Sequence, residues 1–515
     1  MDISLSKSSL RSGQSLQLSG SKSESNRALL LQALYPELSI SNLSTADDTR
    51  LLLKALYSCT PLIDVHHAGT AMRFLTAYFA AQLGTDVLLM GSERMHQRPI
   101  ALLVDALRSL GADITYTEKE GFPPLRIKGK ELKGSHVSLQ GNVSSQYSSA
   151  LLLIAPTLPN GLHLELTGSI TSLPYLQMTL DLLSYCIGEE HVHFSGNEIR
   201  ITPADSLQNY HWQVESDWSS ASYWYSFVAL SPIGTTLSLR DFKQPSLQGD
   251  SALQQLYRTL GVTTTLNDTT LTLTKVSAPQ TDCFTADLNA TPDIAQTLAV
   301  TCLGLGIGCA LSGLHTLSIK ETDRLTALQT ELSKFGAEVT ITTDSLQFPP
   351  CRSLNSAVQV ATYNDHRMAM AFAPLMLLTS LIILDKEVVT KSYPTFWQDV
   401  AQLTVEDEEK SKNIHVLSAK KDLYNNRFIY LIKDTALITI DKVTGEYSVR
   451  DNIRDVVKDN HKSYNNCSIY ALSKIRNFTK EGLEKNKIVL SSKRLKKTED
   501  EIDFYSFDEP LFISS

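Results

Sequence analysis

The chain has 515 residues, of which 42% are hydrophobic and 20% charged, and its formal net charge is −8 at pH 7. That balance describes a folded protein of two or more domains, so disorder is not the default, and the lack of a sustained basic stripe in residues 1–405 argues against a nucleic-acid binder. Seven cysteines, at 59, 186, 283, 302, 309, 351 and 467, contain no C-x-x-C pair, which predicts free thiols in a reducing compartment and no metal site.

Residues 1–20 alternate polar and apolar side chains without the apolar core of a secretory signal, so a cytoplasmic protein is expected. Gly20-Ser21-Lys22-Ser23-Glu24-Ser25-Asn26-Arg27 then follows a strand-like run and opens a helix. It gathers hydroxyls, an ammonium and a guanidinium where free N–H groups and the helix dipole favour an anion. A serine-rich cap with a solvated Lys and Arg is the alternative reading.

His67-Ala68-Gly69-Thr70-Ala71-Met72-Arg73 opens a second helix, and Gly69 would let a ligand approach the backbone, although Gly-Thr is also common capping chemistry. Arg94 and Arg98 precede Pro99, which the sequence places in the first turn of a helix over 99–110, with Arg98 free to fork onto a carboxylate or phosphate. Ser144-Ser145-Gln146 stands before an apolar helix and offers two hydroxyls and an amide to a polyhydroxylated ligand, or simply caps the helix.

An amphipathic segment ending in Gly before a strand-like run recurs at Gly111, Gly188, Gly261 and Gly336, at intervals of 77, 73 and 75 residues. Glycine suits the left-handed residue that ends a helix, and the spacing reads as one supersecondary unit repeated. Thr291-Pro292-Asp293 starts an apolar helix, where Asp293 is either a dipole partner or a base.

Lys320-Glu321-Thr322-Asp323-Arg324 reads as the start of the next helix, with Lys320 and Arg324 as i,i+4 neighbours and Glu321 and Arg324 as i,i+3 neighbours. A carboxylate between two cations can be tuned to move a proton while the cations bind an anion; a salt-bridged surface helix is the bland alternative. Asn364-Asp365-His366-Arg367 precedes an apolar helix from Met368, and Lys391-Ser392-Tyr393-Pro394 follows an apolar strand. The apolar run 368–384 is near membrane-span length but contains Pro374, Thr379 and Ser380, so it reads as a buried helix running into a buried strand.

Composition changes at Glu406: 13 lysines stand in residues 1–405 and 15 in 406–515. The later region reads as an extension of unknown fold, with strand-like runs over 428–450 around a hairpin at 442–445.

In this order GSKSESNRALLLQAL, HAGTAMRFL, ERMHQRPI, VSSQ, KETDRLTAL, YNDHRMAM and KSYPTFW resemble the signature series of the EPSP synthases over residues 1–405. The resemblance implies an α/β enolpyruvyl transferase fold of two domains, each with three βαβαββ-type repeats: residues 1–19 with 214–405, and residues 20–213. It implies transfer of the enolpyruvyl group of phosphoenolpyruvate to the 5-hydroxyl of shikimate 3-phosphate, with no cofactor, no membrane or nucleic-acid partner, and a monomeric catalytic region. Lys22, Ser23, Arg27, Ser144, Ser145, Gln146, Ser172, Tyr175, Asp293, Thr316 and Lys320 would hold shikimate 3-phosphate. Lys22, Gly69, Arg98, Gln146, Arg324, Arg367 and Lys391 would hold phosphoenolpyruvate. Asp293 would be the base at the 5-hydroxyl and Glu321 the proton relay at C3, with Lys22 and Lys391 stabilising charge. His67 and Thr316 stand where the family often has Asn, and Phe74 where it often has Pro. A silent binding protein of the same fold and the UDP-N-acetylglucosamine enolpyruvyl transferases are the rival readings, the latter lacking its loop cysteine here.

Overall fold

The computed structural model describes residues 1–142 and 144–407 and, beyond them, the backbone of four strands between 416 and 451. The chain divides into two compact units, 1–406 and 407–515.

In the first unit one pattern repeats. Strand Leu62–Asp64, helix Gly69–Ala81, strand Asp86–Met90, helix Ala101–Ser109 and the strands Asp113–Tyr116 and Leu125–Lys128 make one βαβαββ element. A helical crossover makes its first two strands parallel, and its last strand returns antiparallel between the second and third. The same order and polarity recur in the sheets built from His136–Gln140 and from Cys283–Asp287. They recur again where Gln14–Gln17 pairs with Thr236–Arg240, so this sheet is assembled from stretches more than 200 residues apart in sequence. The repeat rests on its stops: Gly111, Gly188, Gly261 and Gly336 have φ of 108°, 108°, 84° and 106°. Only glycine adopts that backbone at no steric cost, so each helix ends there and the chain turns into a strand.

Two hydrophobic cores form. One joins Leu5, Leu16 and Leu18 to apolar residues from Trp218 to Leu403; the other runs from Ala28 to Val214. The two stretches of chain that pass between them lie side by side, with a bridge between Gly20 and Ser216 and a 2.7 Å bond from the Ser21 N–H to the Glu215 carbonyl. The unit closes where Thr404–Glu406 pairs with Ser8–Leu10.

The apolar run 368–384 is a buried helix, His366–Phe372, a 3-10 turn over Ala373–Leu377 that accommodates Pro374, and strand Leu381–Ile383. Among the described residues no helix is long and apolar enough to cross a membrane. In the second unit, strands Val416–Asp422, Arg427–Ile432, Ala436–Asp441 and Tyr447–Asp451 pair antiparallel in chain order. The last two are the arms of the expected hairpin, and its turn at 442–446 lies outside the described residues.

Candidate active site

Helix Lys22–Leu34 is capped by Ser21, whose hydroxyl accepts from the Glu24 N–H at 3.4 Å. Lys22, at its first position, sends its ammonium to Asp48 at 3.3 Å and its backbone N–H to Asp217 at 3.1 Å. Arg27 is turned inward and only 2% exposed. Its Nε donates to Thr179 (2.7 Å), its Nη1 to the Ser23 carbonyl (2.8 Å), and its Nη2 to Ser149 (3.0 Å) and the Tyr175 carbonyl (3.1 Å), with the guanidinium over the Phe74 ring. Arg27 therefore fixes the main chain at Ser23 and Tyr175, with four of its five N–H donors engaged.

The second motif differs in its boundaries from the sequence expectation. Glu93–His96 is a short helix of its own, the next begins at Ala101, and Pro99 lies between them, so Arg98 is not in a helical first turn. The Pro99 carbonyl, which a helical turn would have consumed, accepts instead from Arg73 (3.0 Å) and from the Tyr147 hydroxyl (2.6 Å). This turns Arg98 onto Gly69: a Cβ added at Gly69 would lie 2.5 Å from Nη1 of Arg98. Among the described residues the Arg98 side chain makes no hydrogen bond or ion pair, leaving a half-buried cation with its fork uncommitted. Beside it Gln146 donates to Thr70 at 3.2 Å, and Ser144 caps the helix that Ser145 opens. Ser172, in a left-handed conformation at φ 54°, immediately precedes the helix that brings in Tyr175, without a side-chain capping bond.

The third cluster gathers around Arg324, a fully enclosed cation. Helix Arg324–Lys334 begins only at Arg324, because Asp323 caps it, so Lys320, Glu321 and Thr322 precede the helix and are not its first turn. The i,i+3 contact survives without helical geometry, with Glu321 Oε2 2.9 Å from Arg324 Nη2. Arg324 also pairs with Asp365 at 2.6 Å and with Asp293 at 3.0 Å. Asp293 lies in the 3-10 turn Pro292–Ile294, within 3.4 Å of Lys320 and 3.2 Å of Arg367, and accepts from the Tyr175 hydroxyl at 3.2 Å. Glu321 Oε1 sits 2.7 Å from the Lys391 ammonium.

These clusters face one another. Arg94 donates to the carbonyls of Glu321 (3.3 Å) and Lys320 (3.4 Å), tying the Arg98 segment to the acidic one. Burial alone would raise the Asp293 carboxyl, but Arg367, Lys320 and Arg324 outweigh it and hold the group well below the usual carboxylate range. Burial likewise opposes ionisation of Glu321, and Lys391, Arg324 and Arg98 reverse the balance, so it too titrates well below its ordinary value. His366 moves the other way: burial, then the fields of Lys22 and Lys391, hold it neutral, and among the described residues neither ring nitrogen has a hydrogen-bond partner.

Lys22, Arg98, Lys320, Glu321, Arg324, Asp293, Tyr175, Arg367 and Lys391 are thus drawn into one charged region by direct contacts or mutual fields. Among the described residues no hydrogen bond or ion pair joins Ser145 or Thr316 to it, and the buried Thr316 hydroxyl oxygen has no hydrogen-bond partner there. Sequence reasoning did not assign Asp48, Asp365 or His366. Asp48 follows Asp47 at a helix start, where acidic residues are ordinary dipole partners, and only the fold sets it against Lys22. His67 has Nε2 3.8 Å from Asp48 Oδ1.

A family model for EPSP synthase (3-phosphoshikimate 1-carboxyvinyltransferase) matches residues 57–400. A 3-phosphoshikimate 1-carboxyvinyltransferase of Bacteroides fragilis (strain YCH46) is 47% identical over 392 residues, covering 75% of this chain and 94% of its own length. One of Escherichia coli O17:K52:H18 is 36% identical over 424 residues, covering 76% and 96%. Among solved structures, an EPSP synthase of Acinetobacter baumannii superposes with a TM-score of 0.62 at 20% identity, covering 78% of this chain and 98% of that one.

Proposed function

The chain belongs to the EPSP synthase family, and from that premise we propose how its own residues carry the transfer of the enolpyruvyl group from phosphoenolpyruvate to the 5-hydroxyl of shikimate 3-phosphate. The observation that carries the assignment is the uncommitted guanidinium of Arg98 against Gly69, facing a set of cations that are all paired with carboxylates. A free fork at a glycine-lined helix start is a receptor for a carboxylate or phosphate.

Phosphoenolpyruvate lies against Arg98, Gly69, Gln146 and Lys22 on one side and Arg324, Arg367 and Lys391 on the other. Shikimate 3-phosphate is held by Lys22, Ser23, the Ser144–Gln146 segment, Ser172, Tyr175 and Lys320, with Arg27 supporting Ser23 and Tyr175 from beneath. In the addition step the 5-hydroxyl oxygen bonds to C2, its proton passes to Asp293, and C3 takes a proton that Lys391 relays through Glu321. In the elimination step the bond from C2 to the phosphate oxygen breaks, C3 returns its proton through Glu321 to Lys391, and phosphate leaves carrying the proton that Asp293 took from the 5-hydroxyl. Lys22 and Lys391 offset the charge that develops on the phosphate in a site of low dielectric.

The two separate cores support a division into one lobe of residues 1–19 with 214–405 and another of 20–213, so that the site forms where they meet. The residues after 406 have no part in this assignment. The test is phosphate release by the purified full-length chain with both substrates, compared with Lys22→Ala and Arg98→Ala. Turnover by Arg98→Ala equal to the parent at low phosphoenolpyruvate overturns the placement.

A further inference from the structure

Glu24 is absent from the mechanism, yet it is 1% exposed, two residues from Lys22 on the same helix, and its carboxyl is pushed up to about 7. Its setting explains why such a group is tolerated. A helix that begins Ser-x-x-Glu ordinarily closes a reciprocal box, the Ser hydroxyl accepting from the Glu N–H while the Glu carboxylate reaches back to the Ser N–H. Here only the first half forms, between the Ser21 hydroxyl and the Glu24 N–H. The Ser21 N–H goes instead to the Glu215 carbonyl at 2.7 Å, and the Glu215 N–H returns to the two oxygens of Glu24 at 3.3 Å each. The box is completed by the other stretch of chain passing between the two cores.

Further contacts complete the clamp. Trp212 Nε1 donates to Glu24 Oε1 at 2.8 Å, and the Lys243 ammonium stands 4.0 Å away. Two residues past Glu215, Asp217 accepts the backbone N–H of Lys22 at 3.1 Å. The segment 215–217 therefore holds two successive N–H groups of the helix that carries Lys22 and Ser23, and Glu24 is the helix's grip on that segment. Glu215 is itself saturated, accepting from Trp218 (2.7 Å), the Lys243 N–H (3.0 Å), Ser246 (2.6 Å) and Gln248 (3.2 Å), so it cannot replace Glu24.

We infer that Glu24 is a positioning residue for Lys22, its ionised carboxylate locking the two crossing stretches of chain so that the Lys22 ammonium meets the cations carried by residues 320–391. The inference rests on the role proposed for Lys22. Besides Lys243 and Glu215, the charged group that feels Glu24 is Arg27 on its own helix. Burial is the largest cause of the raised carboxyl, with Glu215 adding to it and Lys243 opposing. Protonation removes the negative charge that holds the Glu215 N–H, the Trp212 Nε1–H and the Lys243 ammonium, and turns one of the two oxygens facing the Glu215 N–H into a donor, which loosens the lock; ionisation restores it.

The experiment uses the full chain as parent, Glu24→Gln and Trp212→Phe, with kcat and KM for each substrate from pH 6 to 8.5 and thermal melts alongside. The parent is expected to lose kcat/KM on the acid side with a midpoint near 7, the value of the Glu24 carboxyl. Glu24→Gln is expected to lack that acid limb and to lie about tenfold below the parent at pH 8, the scale of a displacement under 1 Å at a reacting group. Trp212→Phe should shift the midpoint upward while keeping the limb, since a donor to the ionised form is removed. Profiles of Glu24→Gln that superpose on the parent overturn the inference, as does a loss that scales only with the unfolded fraction in the melts. Absence of turnover by the parent with both substrates would instead overturn the reaction itself, so the two failures are distinguishable.

Discussion

Replacing Gly69 with Ala isolates the phosphoenolpyruvate side of the site. The added methyl would stand 2.5 Å from Nη1, 3.0 Å from Cζ and 3.1 Å from Nη2 of Arg98. Nonbonded contact is comfortable only from about 3.5 Å, so the guanidinium must retreat by about 1 Å. Nothing within the described residues pins Arg98, so the retreat costs the fold little, and Ala in place of Gly favours the helix by up to about 1 kcal/mol. What is lost is a hydrogen bond between charged groups in the complex, worth about 1.5–3 kcal/mol. That converts to a rise of about 10- to 100-fold in the KM for phosphoenolpyruvate, with Tm unchanged or slightly higher. Initial rates of phosphate release, varied against each substrate with the other saturating, read the effect. A KM for phosphoenolpyruvate within twofold of the parent, or an equal loss for shikimate 3-phosphate, would refute the placement of Arg98.

Arg98→Lys keeps the charge but loses the planar fork, and a rise in the same KM of about tenfold is expected, measured at fixed ionic strength. Asp293→Asn and Glu321→Gln should lower kcat by about 10²- to 10⁴-fold while shikimate 3-phosphate still binds, checked by calorimetry alongside turnover. Both carboxyls titrate below their unfolded values, so the stability they contribute is present above about pH 4 and is lost as pH falls below it; melts of the parent from pH 7 to 3 should show the Tm dropping on that acid side. Asp293→Asn should flatten this acid slope yet lower Tm at pH 7, because Arg324, Arg367 and Lys320 lose their shared partner.

The repeated unit was legible because its stop signal is local. A glycine that ends a helix in the left-handed conformation reads the same at Gly111, Gly188, Gly261 and Gly336 whatever surrounds it. Boundaries were less so. Lys320–Arg324 looks helical throughout, and Asp323 overrides this by capping with its side chain. Pro99 suits a helical first turn, but its carbonyl is claimed by Arg73 and Tyr147 from other segments. Pairings between distant residues carry no local signal at all. Arg324 meets Asp365 across 41 residues and Lys391 meets Glu321 across 70, and only the ordered series of family motifs made their convergence an expectation. Glu24 went unassigned for the same reason, since its partners, Trp212 and Glu215, lie about 190 residues away in sequence.

The proposed proton transfers make a demand on this geometry. A base at the 5-hydroxyl and a relay at C3 need appreciable proton affinity, yet both carboxyls are held well below the ordinary range. The cause is a surplus of cations with nothing else to neutralise. Lys22, Arg98, Lys320, Arg324, Arg367 and Lys391 outnumber their ion-pair partners Asp48, Asp293, Glu321 and Asp365 by two, an excess that the nearby Asp250 carboxyl, which feels Arg367, only partly offsets. Each substrate brings a carboxylate and a phosphate, and a phosphate carries about −1.5 to −2 at neutral pH. Binding both more than cancels that surplus, so the ammonium and guanidinium groups are drawn onto substrate oxygens and their hold on Asp293 and Glu321 relaxes. In the proposed reaction the negative charge of the two substrates thus supplies Asp293 and Glu321 with the proton affinity that proton transfer needs, which couples the chemistry to the binding of both anions.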